Sequence, residues 1–297
     1  MPLVGLLELS LQLFFSKRAP GPEQWVGLRS EVEREAADRP LIVVAPAWAE
    51  PNARAAFGNE LMPLAHVARA DESGFGEALE VSILGASAPE LTGWLLGAEE
   101  HLGPFRLRRY RNPSPQPVLY DFVEHIEPSA ADVRTGAPEQ AKPCTFTSKA
   151  RVSNGDLHGH PTFPRRRFAC PGEGDWFFVG VTVIEDQQYR PRRCIWAHPS
   201  GAGPLRVRFE AVPVGSRLRG YAGLPYWFER EERGSPVQLT VSVAGEVLGD
   251  WQHADGEGWK PFEFSTERFR GQTAPVEFAI STARAWRREF CFQADVR

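Results

Sequence analysis

The chain has 297 residues, an aromatic share of 11% and a formal net charge of −4. This length is enough for two domains with separate cores, and the aromatic share excludes an intrinsically disordered chain. The small negative charge argues against nucleic acid as a partner, because a phosphate-binding surface normally carries an excess of Lys and Arg. The 26 prolines and 27 glycines favour a protein of strands and turns.

The first 15 residues are mostly apolar and are followed by Ser16 and Lys17. They are too few to span a bilayer, which takes about 20 apolar residues, and they lack the basic start and small-residue cleavage site of a signal peptide. A shortened membrane anchor, an interfacial helix and a core helix remain as alternatives. We favour an anchor or an interfacial helix over residues 1–19, with membrane association through residues 1–15.

Residues 20–127 predict a small α/β domain. Between residues 23 and 39, Trp25, Leu28 and Val32 recur at three- and four-residue spacing, which indicates an amphipathic helix packed on a sheet. The elements predicted after it are a buried strand over 41–45, a short helix over 50–61 and strands over 78–84, 105–110 and 118–123. The loop after the first strand lacks the glycines of a dinucleotide-binding turn, so we expect the strand to be structural.

Residues 128–175 are rich in Pro, Gly and polar groups and show no sustained apolar period. We expect a linker and strapping segment there.

Residues 176–297 predict an antiparallel β-sandwich. Residues 237–243 alternate strictly, with four apolar side chains on one face and Gln238, Thr240 and Ser242 on the other, which is typical of a strand with one buried face. Residues 176–184 are apolar on both faces and so favour a central strand. Further strands are predicted at 193–197, 205–209, 217–221, 246–251, 262–264, 276–280 and 290–292.

The four cysteines lie between residues 144 and 291, and none forms a C-x-x-C pair. A structural zinc site is therefore not expected, and disulfides in an oxidising compartment are favoured over buried free thiols. Three pairings are possible. We favour Cys194 with Cys291 and Cys144 with Cys170, because sandwiches often place their first and last strands side by side.

Three stretches of the predicted sandwich carry a resemblance, namely Pro236–Gly245, Gly258–Phe264 and Phe269–Gln272. A strand, a turn glycine, a tryptophan strand and a Gly-Gln turn follow one another in an order that resembles the galactose-binding-like jelly roll of many carbohydrate-binding modules. The resemblance implies an antiparallel jelly-roll β-sandwich in this half. With the small α/β domain predicted before it, we expect an α+β protein of two domains. That fold also hosts adhesion modules and spacers, so it implies glycan binding only by analogy.

A second resemblance lies in the first domain, in Arg39–Val44 and Leu102–Tyr110. The order of a helix, a buried strand, a short helix and the second stretch looks like the extracytoplasmic α/β tail of bacterial multi-spanning membrane glycosyltransferases. It covers about a third of the chain. Their membrane-embedded catalytic part has no counterpart here, so the resemblance implies no activity.

Glu185 and Asp186 are adjacent carboxylates after the predicted central strand. A glycosidase needs two carboxyl groups that face each other about 5 to 10 Å apart, whereas neighbours on an extended chain point to opposite sides. A turn with a local Arg pairing fits better. Jelly-roll modules often bind a structural calcium through such loop carboxylates, so Asp186 is also a calcium candidate.

His158 and His160 would place both imidazoles on one side of an extended chain, as two ligands of a metal ion. Asp156 or His198 would supply a third. The alternative is a polar loop with two exposed histidines. No Gly-x-Ser-x-Gly elbow of a serine hydrolase occurs.

The candidate binding residues are aromatic and polar side chains in Gly- and Pro-rich turns of the predicted sandwich. They are Tyr226, Trp227, Arg230, Trp251 and His253, with Tyr221, Trp259 and Asp255 nearby. A sugar offers an apolar ring face that stacks on aromatic rings and hydroxyl groups that hydrogen-bond to charged groups. Ordinary packing of tryptophan in the core is the alternative.

We therefore expect a non-catalytic protein on the extracytoplasmic, periplasmic side that binds a glycan or a membrane-bound glycan-processing protein. No cofactor is expected beyond the structural calcium. One rival is an envelope carbohydrate-active hydrolase or transferase that uses Glu185 or Asp186, and a cleft with two facing carboxylates would favour it. The other is a structural scaffold, which a flat apolar patch would favour.

Overall fold

The computed structural model describes residue 5 and residues 19–153, 161–172, 174–201, 203–231 and 234–297. The chain divides into two compact units. The first comprises residues up to Pro117 except 68–70, and the second comprises Ala68–Ala70 and Val118–Arg297.

The described residues of the first unit form three helices and four strands. The helices are α1 (Pro22–Glu35), α2 (Glu50–Leu61) and α3 (Leu64–Val67), and the strands are β1 (Leu41–Ala45), β2 (Glu77–Ile83), β3 (Leu95–Leu102) and β4 (Phe105–Arg111). The sheet order is β1-β2-β4-β3, with β1 and β2 parallel and the other pairs antiparallel. Single 3-10 turns lie at Ala47–Ala49 and Pro89–Leu91.

The core of this unit forms between the sheet and the first two helices. Trp25 of α1 and Phe57 of α2 are buried there, and the Trp25 ring lies 4.8 Å from that of Phe105. The predicted helix, first strand and short helix are confirmed. Strand β3 was missed because it is an edge strand whose residues are almost all exposed, so its sequence shows no alternation.

The predicted anchor over residues 1–19 lies outside the described residues apart from Gly5 and Ala19. Among the helices that the structure describes, none is long and apolar enough to cross a membrane.

The second unit is a β-sandwich, with one short helix among the residues that the structure describes. Its elements are β5 (Tyr120–Asp121), β6 (Ala131–Thr135), β7 (Lys142–Pro143), β8 (Thr145–Thr147), β9 (Arg167–Ala169), β10 (Phe178–Glu185), β11 (Pro191–Ala197), β12 (Leu205–Pro213), β13 (Arg217–Gly223), α4 (Tyr226–Glu229), β14 (Val237–Val243), β15 (Glu246–His253), β16 (Lys260–Ser265), β17 (Thr273–Thr282) and β18 (Cys291–Val296), with 3-10 turns at Pro138–Gln140 and Glu267–Phe269.

These strands form two antiparallel sheets. One has the order β16-β13-β18-β11-β10-β9-β8 with β5 beside β18, and the other has the order β15-β14-β17-β12-β6-β7. The apolar residues of both inner faces share one core, as the alternation predicted. All nine strands predicted between 176 and 297 are present as β10 to β18, and β10 lies inside its sheet between β9 and β11. The protein is thus a small α/β unit followed by an antiparallel β-sandwich.

The predicted domain boundaries differ from the observed ones. Residues 118–123, predicted as a strand of the first domain, belong to the second unit, where Tyr120–Asp121 form β5. Phe122 packs between Phe209 and Phe278, with ring centres at 4.8 and 4.9 Å. Alternation identifies a strand but not the sheet that it joins, which explains the difference.

The segment 128–175, predicted as a linker, also contributes to the sandwich. Strand β6 pairs with β12, and β9 pairs with β10. These strands have five and three residues, too few to establish a period in a stretch rich in Pro and Gly. The predicted strapping is confirmed, since Cys144 is bonded to Cys170.

The second predicted disulfide, Cys194–Cys291, is also present and joins the adjacent strands β11 and β18. All four cysteines are paired. Closed loops of 26 and 97 residues restrict the unfolded chain and so stabilise the sandwich.

Candidate functional site

The helix α4 follows β13 and turns two of its four residues inward. Phe228 and Glu229 are buried, whereas Tyr226 is half-buried and the side chain of Trp227 is 40% exposed. Pro225 precedes the helix, where its fixed φ suits a helix start. One turn of helix thus presents two aromatic rings outward on a buried base.

Arg230, which directly follows α4, is exposed and lies over two tyrosine rings. Its guanidinium carbon is 5.4 Å from the ring centre of Tyr226 and 5.4 Å from that of Tyr189. The two tyrosine rings are 4.9 Å apart, and Tyr189 is 58% exposed. We call Tyr189, Tyr226, Trp227 and Arg230 the aromatic surface.

Tyr189 is a member of this surface that the sequence analysis missed. It occupies the turn between β10 and β11 with a left-handed φ of 58°. A non-glycine residue in this conformation is uncommon. No sequence pattern connects it to α4, so only the fold brings Tyr189 and Tyr226 together.

Asp186 holds this turn in place. It is buried, it accepts hydrogen bonds from the backbone N–H groups of Gln188 and Arg190 at 2.9 and 3.0 Å, and it pairs with Arg192 at 2.9 Å. Both of its oxygens therefore already have protein donors, and Asp186 braces the turn with a local Arg pair. Calcium binding at Asp186 stays a prediction. Among the described residues no group of three or more His, Cys, Asp or Glu side chains could hold a metal ion.

Glu185 is exposed while Asp186 is buried, so the two carboxylates do not face each other.

Trp251 and His253, predicted as binding residues, lie on the inner face of β15. The Trp251 Nε1–H donates to the Pro261 carbonyl at 3.0 Å, and its ring packs against Phe262 at 5.8 Å and stacks on His253 at 5.6 Å. His253 has no exposed surface. The structure therefore corrects the prediction that His253 contacts sugar hydroxyls, because the imidazole is part of the interior.

Glu229 connects this interior to the aromatic surface. Its carboxylate accepts hydrogen bonds from His253 Nε2 at 2.6 Å and from the backbone N–H groups of Leu224, Gly256 and Gly258 at 3.0 to 3.2 Å. Gly256 and Gly258 have left-handed φ values of 84° and 66°, which turn their N–H groups toward the carboxylate. The buried Glu229 carboxylate, with its four hydrogen-bond donors, therefore fixes the position of α4.

Glu257 lies on the other side of the His253 ring. Burial alone would raise the pKa of Glu257, but hydrogen bonds from Lys260 and from the Ala254 N–H lower it below its usual value. Its carboxylate therefore stays ionised, 3.8 Å from His253 Nδ1.

Another exposed tryptophan is linked to the end of α4. Trp286 is 60% exposed, and the guanidinium of Arg287 lies 4.4 Å from its ring centre. Arg287 forms an ion pair with Glu231, the residue after Arg230. Trp286 lies in a turn and was not predicted as a binding residue.

The predicted histidine metal site falls largely on residues that are not described. Asp156, His158 and His160 lie outside the described residues. His198 is buried beside Trp176 at 4.3 Å, and its Nδ1 is 2.8 Å from the Pro199 carbonyl. Burial lowers the pKa of His198 to about 4, so the ring is neutral at physiological pH.

Three other candidates have structural contacts. Tyr221 lies beside Arg219, with 6.0 Å between the guanidinium and the ring centre, and Trp259 packs on a small cluster around the Cys194–Cys291 disulfide. Asp255 pairs with Arg288 in the interior.

Two depressions of about 320 and 390 Å³ lie on the sandwich. In the first, Asp132, Glu210 and Glu277 each have an arginine within 4 Å. This pairing does not favour the hydrolase alternative, which requires two carboxyl groups available to a substrate.

No protein-family model matches the chain, and no curated protein matches its sequence. Several solved structures show a distant likeness. A CBM51 from a Clostridium perfringens GH95, in complex with methyl-galactose, is 8% identical over 39% of this chain and 81% of that chain, with a TM-score of 0.30. Tandem CBM51 modules of a family 98 glycoside hydrolase from Streptococcus pneumoniae are 9% identical over 66% of this chain and 56% of that chain, with a TM-score of 0.33.

The secreted serine protease VesC from Vibrio cholerae is 8% identical over 69% of this chain and 56% of that chain, with a TM-score of 0.24. Likenesses at these scores support no inference about function. The resemblance of the first unit to glycosyltransferase tails stays a prediction.

Proposed function

We propose that the sandwich is a non-catalytic saccharide-binding module that uses the aromatic surface. The observation that carries this proposal is the grouping of three solvent-accessible rings and one guanidinium on a base of buried contacts. Aromatic rings at the surface offer stacking partners to the apolar faces of sugar rings, and the arginine offers hydrogen-bond donors to hydroxyl groups.

The base of the aromatic surface favours binding because it fixes the rings before a ligand arrives. Glu229 holds α4 through four hydrogen bonds, and Asp186 holds the turn of Tyr189 through three donors. Side chains that are already ordered lose less entropy on binding. Tyr189 and Trp227 are exposed by 58% and 40%, which leaves their rings accessible to a ligand.

Two disulfides support an oxidising, extracytoplasmic location, where such bonds form and persist. A location outside the cytoplasm also brings the module to envelope or extracellular glycans. Anchoring through residues 1–15 remains part of the proposal, as does a glycan-processing protein in the membrane as partner.

A protein partner is the second candidate function. Trp, Tyr and Arg dominate the energetics of protein interfaces, and the aromatic surface consists of these residue types. The partner would then dock on Tyr189 and Trp227, which are both exposed.

The experiment that tests the proposal compares Trp227→Ala with Trp48→Ala. Both tryptophans are exposed, by 40% and 59%, and Trp48 belongs to the first unit, which makes it a matched control. One stacked sugar contributes about 0.5–1.5 kcal/mol beyond buried area, so we expect millimolar binding on a multivalent glycan array. Trp227→Ala should lose the array signal and Trp48→Ala should keep it.

An unchanged signal for Trp227→Ala would refute binding through the aromatic surface. A blank array for the wild-type chain would favour the protein partner, which crosslinking at position 227 in envelope extracts would then identify.

A further inference from the structure

Arg230 differs from its arginine neighbours in having no ion pair among the described residues. Arg192 pairs with Asp186, Arg287 pairs with Glu231, and Arg288 pairs with Asp255. The described contacts of the Arg230 guanidinium are those with the rings of Tyr189 and Tyr226.

This placement leaves the hydrogen-bonding capacity of the guanidinium available. Contact with a ring face uses the positive charge and the flat face of the group, whereas its five N–H donors lie in the guanidinium plane. Two rings 4.9 Å apart restrict where that plane can lie. A guanidinium that is positioned, exposed and without an acid partner among the residues that the structure describes matches a carboxylate, which accepts two parallel N–H···O bonds.

Three acids near Arg230 that the structure describes, two adjacent to it in the chain and one in the turn of Tyr189, already have positive or donor partners. Glu229 is buried and has four donors, Glu231 pairs with Arg287, and Asp186 pairs with Arg192. Their charges therefore repel an approaching anion only weakly. Arg230 gives the aromatic surface a local positive charge.

We infer that the ligand of the aromatic surface is an acidic saccharide, a sugar that carries a carboxylate. The sugar ring stacks on the exposed aromatic side chains, and its carboxylate accepts a bidentate pair of hydrogen bonds from Arg230. This inference rests on the proposed function and specifies its substrate class.

The test uses the full chain on an array of uronic-acid and sialic-acid oligosaccharides, each printed beside its methyl ester. The ester keeps the ring and removes the charge. We expect the acids to be retained at least about ten-fold better than their esters, which is the range of a charge-assisted pair. The preference should weaken as NaCl is raised from 50 to 500 mM, because the contact is exposed to screening.

Arg230→Gln should remove that preference while leaving the weaker binding of the esters in place, and Arg230→Lys should keep only part of it. Arg270→Gln is the matched control, because Arg270 is an exposed arginine of the same unit that pairs with Glu267 and its loss changes the net charge equally. It should leave the preference unchanged.

Three outcomes would overturn the inference. Equal retention of acids and esters by the wild-type chain would show that the protein does not recognise the carboxylate charge of the saccharide, while the proposal of glycan binding would be unaffected. Equal losses of acids and esters in Arg230→Gln would show that the arginine only orders the tyrosines. No retained saccharide at all would refute the proposed function together with the inference.

Discussion

The predicted binding residues fall into two groups that differ in their position relative to the core. Trp227 and Arg230 are exposed and Tyr226 is half-buried beside them, whereas His253 is fully buried and Trp251 is half-buried against the core. Glu229 separates the two groups, since it follows the exposed rings in α4 and accepts a hydrogen bond from His253. The contrast shows that local backbone geometry, and not composition, decides whether an aromatic side chain in a turn-rich stretch is available to a ligand or packs on the core.

That geometry is a β-bulge in the hairpin of β14 and β15. A regular hairpin from the observed pair Val243 and Glu246 would place Trp251 opposite Gln238, on the exposed face. The register shifts by one residue between Val241 and Ser242, and Trp251 pairs instead with the buried Leu239. Opposite residues in an antiparallel pair share a face, so the shift turns Trp251 inward.

The largest expected effect comes from Glu229, on which both groups depend. Glu229→Ala would leave His253 Nε2 and three backbone N–H groups without their acceptor. Buried unpaired donors cost about 1–3 kcal/mol each, so we expect the free energy of unfolding to fall by about 4 kcal/mol, or the sandwich not to fold. Urea unfolding followed by circular dichroism measures this loss.

Glu210→Ala is the control for that experiment. Glu210 is an exposed carboxylate paired with Arg208, and its removal should cost less than about 1 kcal/mol. Similar losses for both variants would contradict the central role of Glu229.

The strands of the sandwich could be predicted because one buried face imposes a period of two on the sequence. The disulfide pairing also followed from the expected order of strands. Three features were beyond this reasoning. The strands β6 to β9 are too short to show a period, the bulge at β15 leaves no pattern, and the contact of Tyr189 with Tyr226 joins residues far apart in the chain.

The buried polar side chains of the site were unpredictable for a related reason. The sequence predicted a local Arg pair for Asp186 but not its burial, and no pattern singled out Glu229. Both are buried because the fold supplies their donors. Partners of this kind are set by tertiary structure, which no local spacing encodes.

A second comparison is that of His253, which has a carboxylate partner, with His198, which has a backbone carbonyl. Burial lowers the pKa of His198 from 6.5 to about 4, with a smaller contribution from Arg288. The unfolded chain therefore binds a proton below pH 6.5 while the folded one does not until about pH 4. His198 thus destabilises the fold progressively across that window, by up to about 3 kcal/mol.

His198→Gln should remove this dependence, so the difference in unfolding free energy between wild type and variant should change between pH 7.5 and pH 4. At pH 7.5 both states of the wild type are neutral at this position, and the difference there reports packing alone. A difference that is constant over the whole range would contradict a neutral, buried His198.

The smallest effects separate the two tryptophans. Trp251→Ala removes a hydrogen bond to Pro261 and a ring packed against Phe262, so we expect it to lower the unfolding free energy by about 2–3 kcal/mol. Trp227→Ala should cost about 1 kcal/mol or less, because its side chain is 40% exposed. On the glycan array the larger loss should be that of Trp227→Ala. Trp251→Ala should still bind below its melting temperature, whereas Trp227→Ala should give no signal. If instead Trp227→Ala destabilised the sandwich as much as Trp251→Ala, its ring would be a packing residue and the division between the aromatic surface and the interior would not hold.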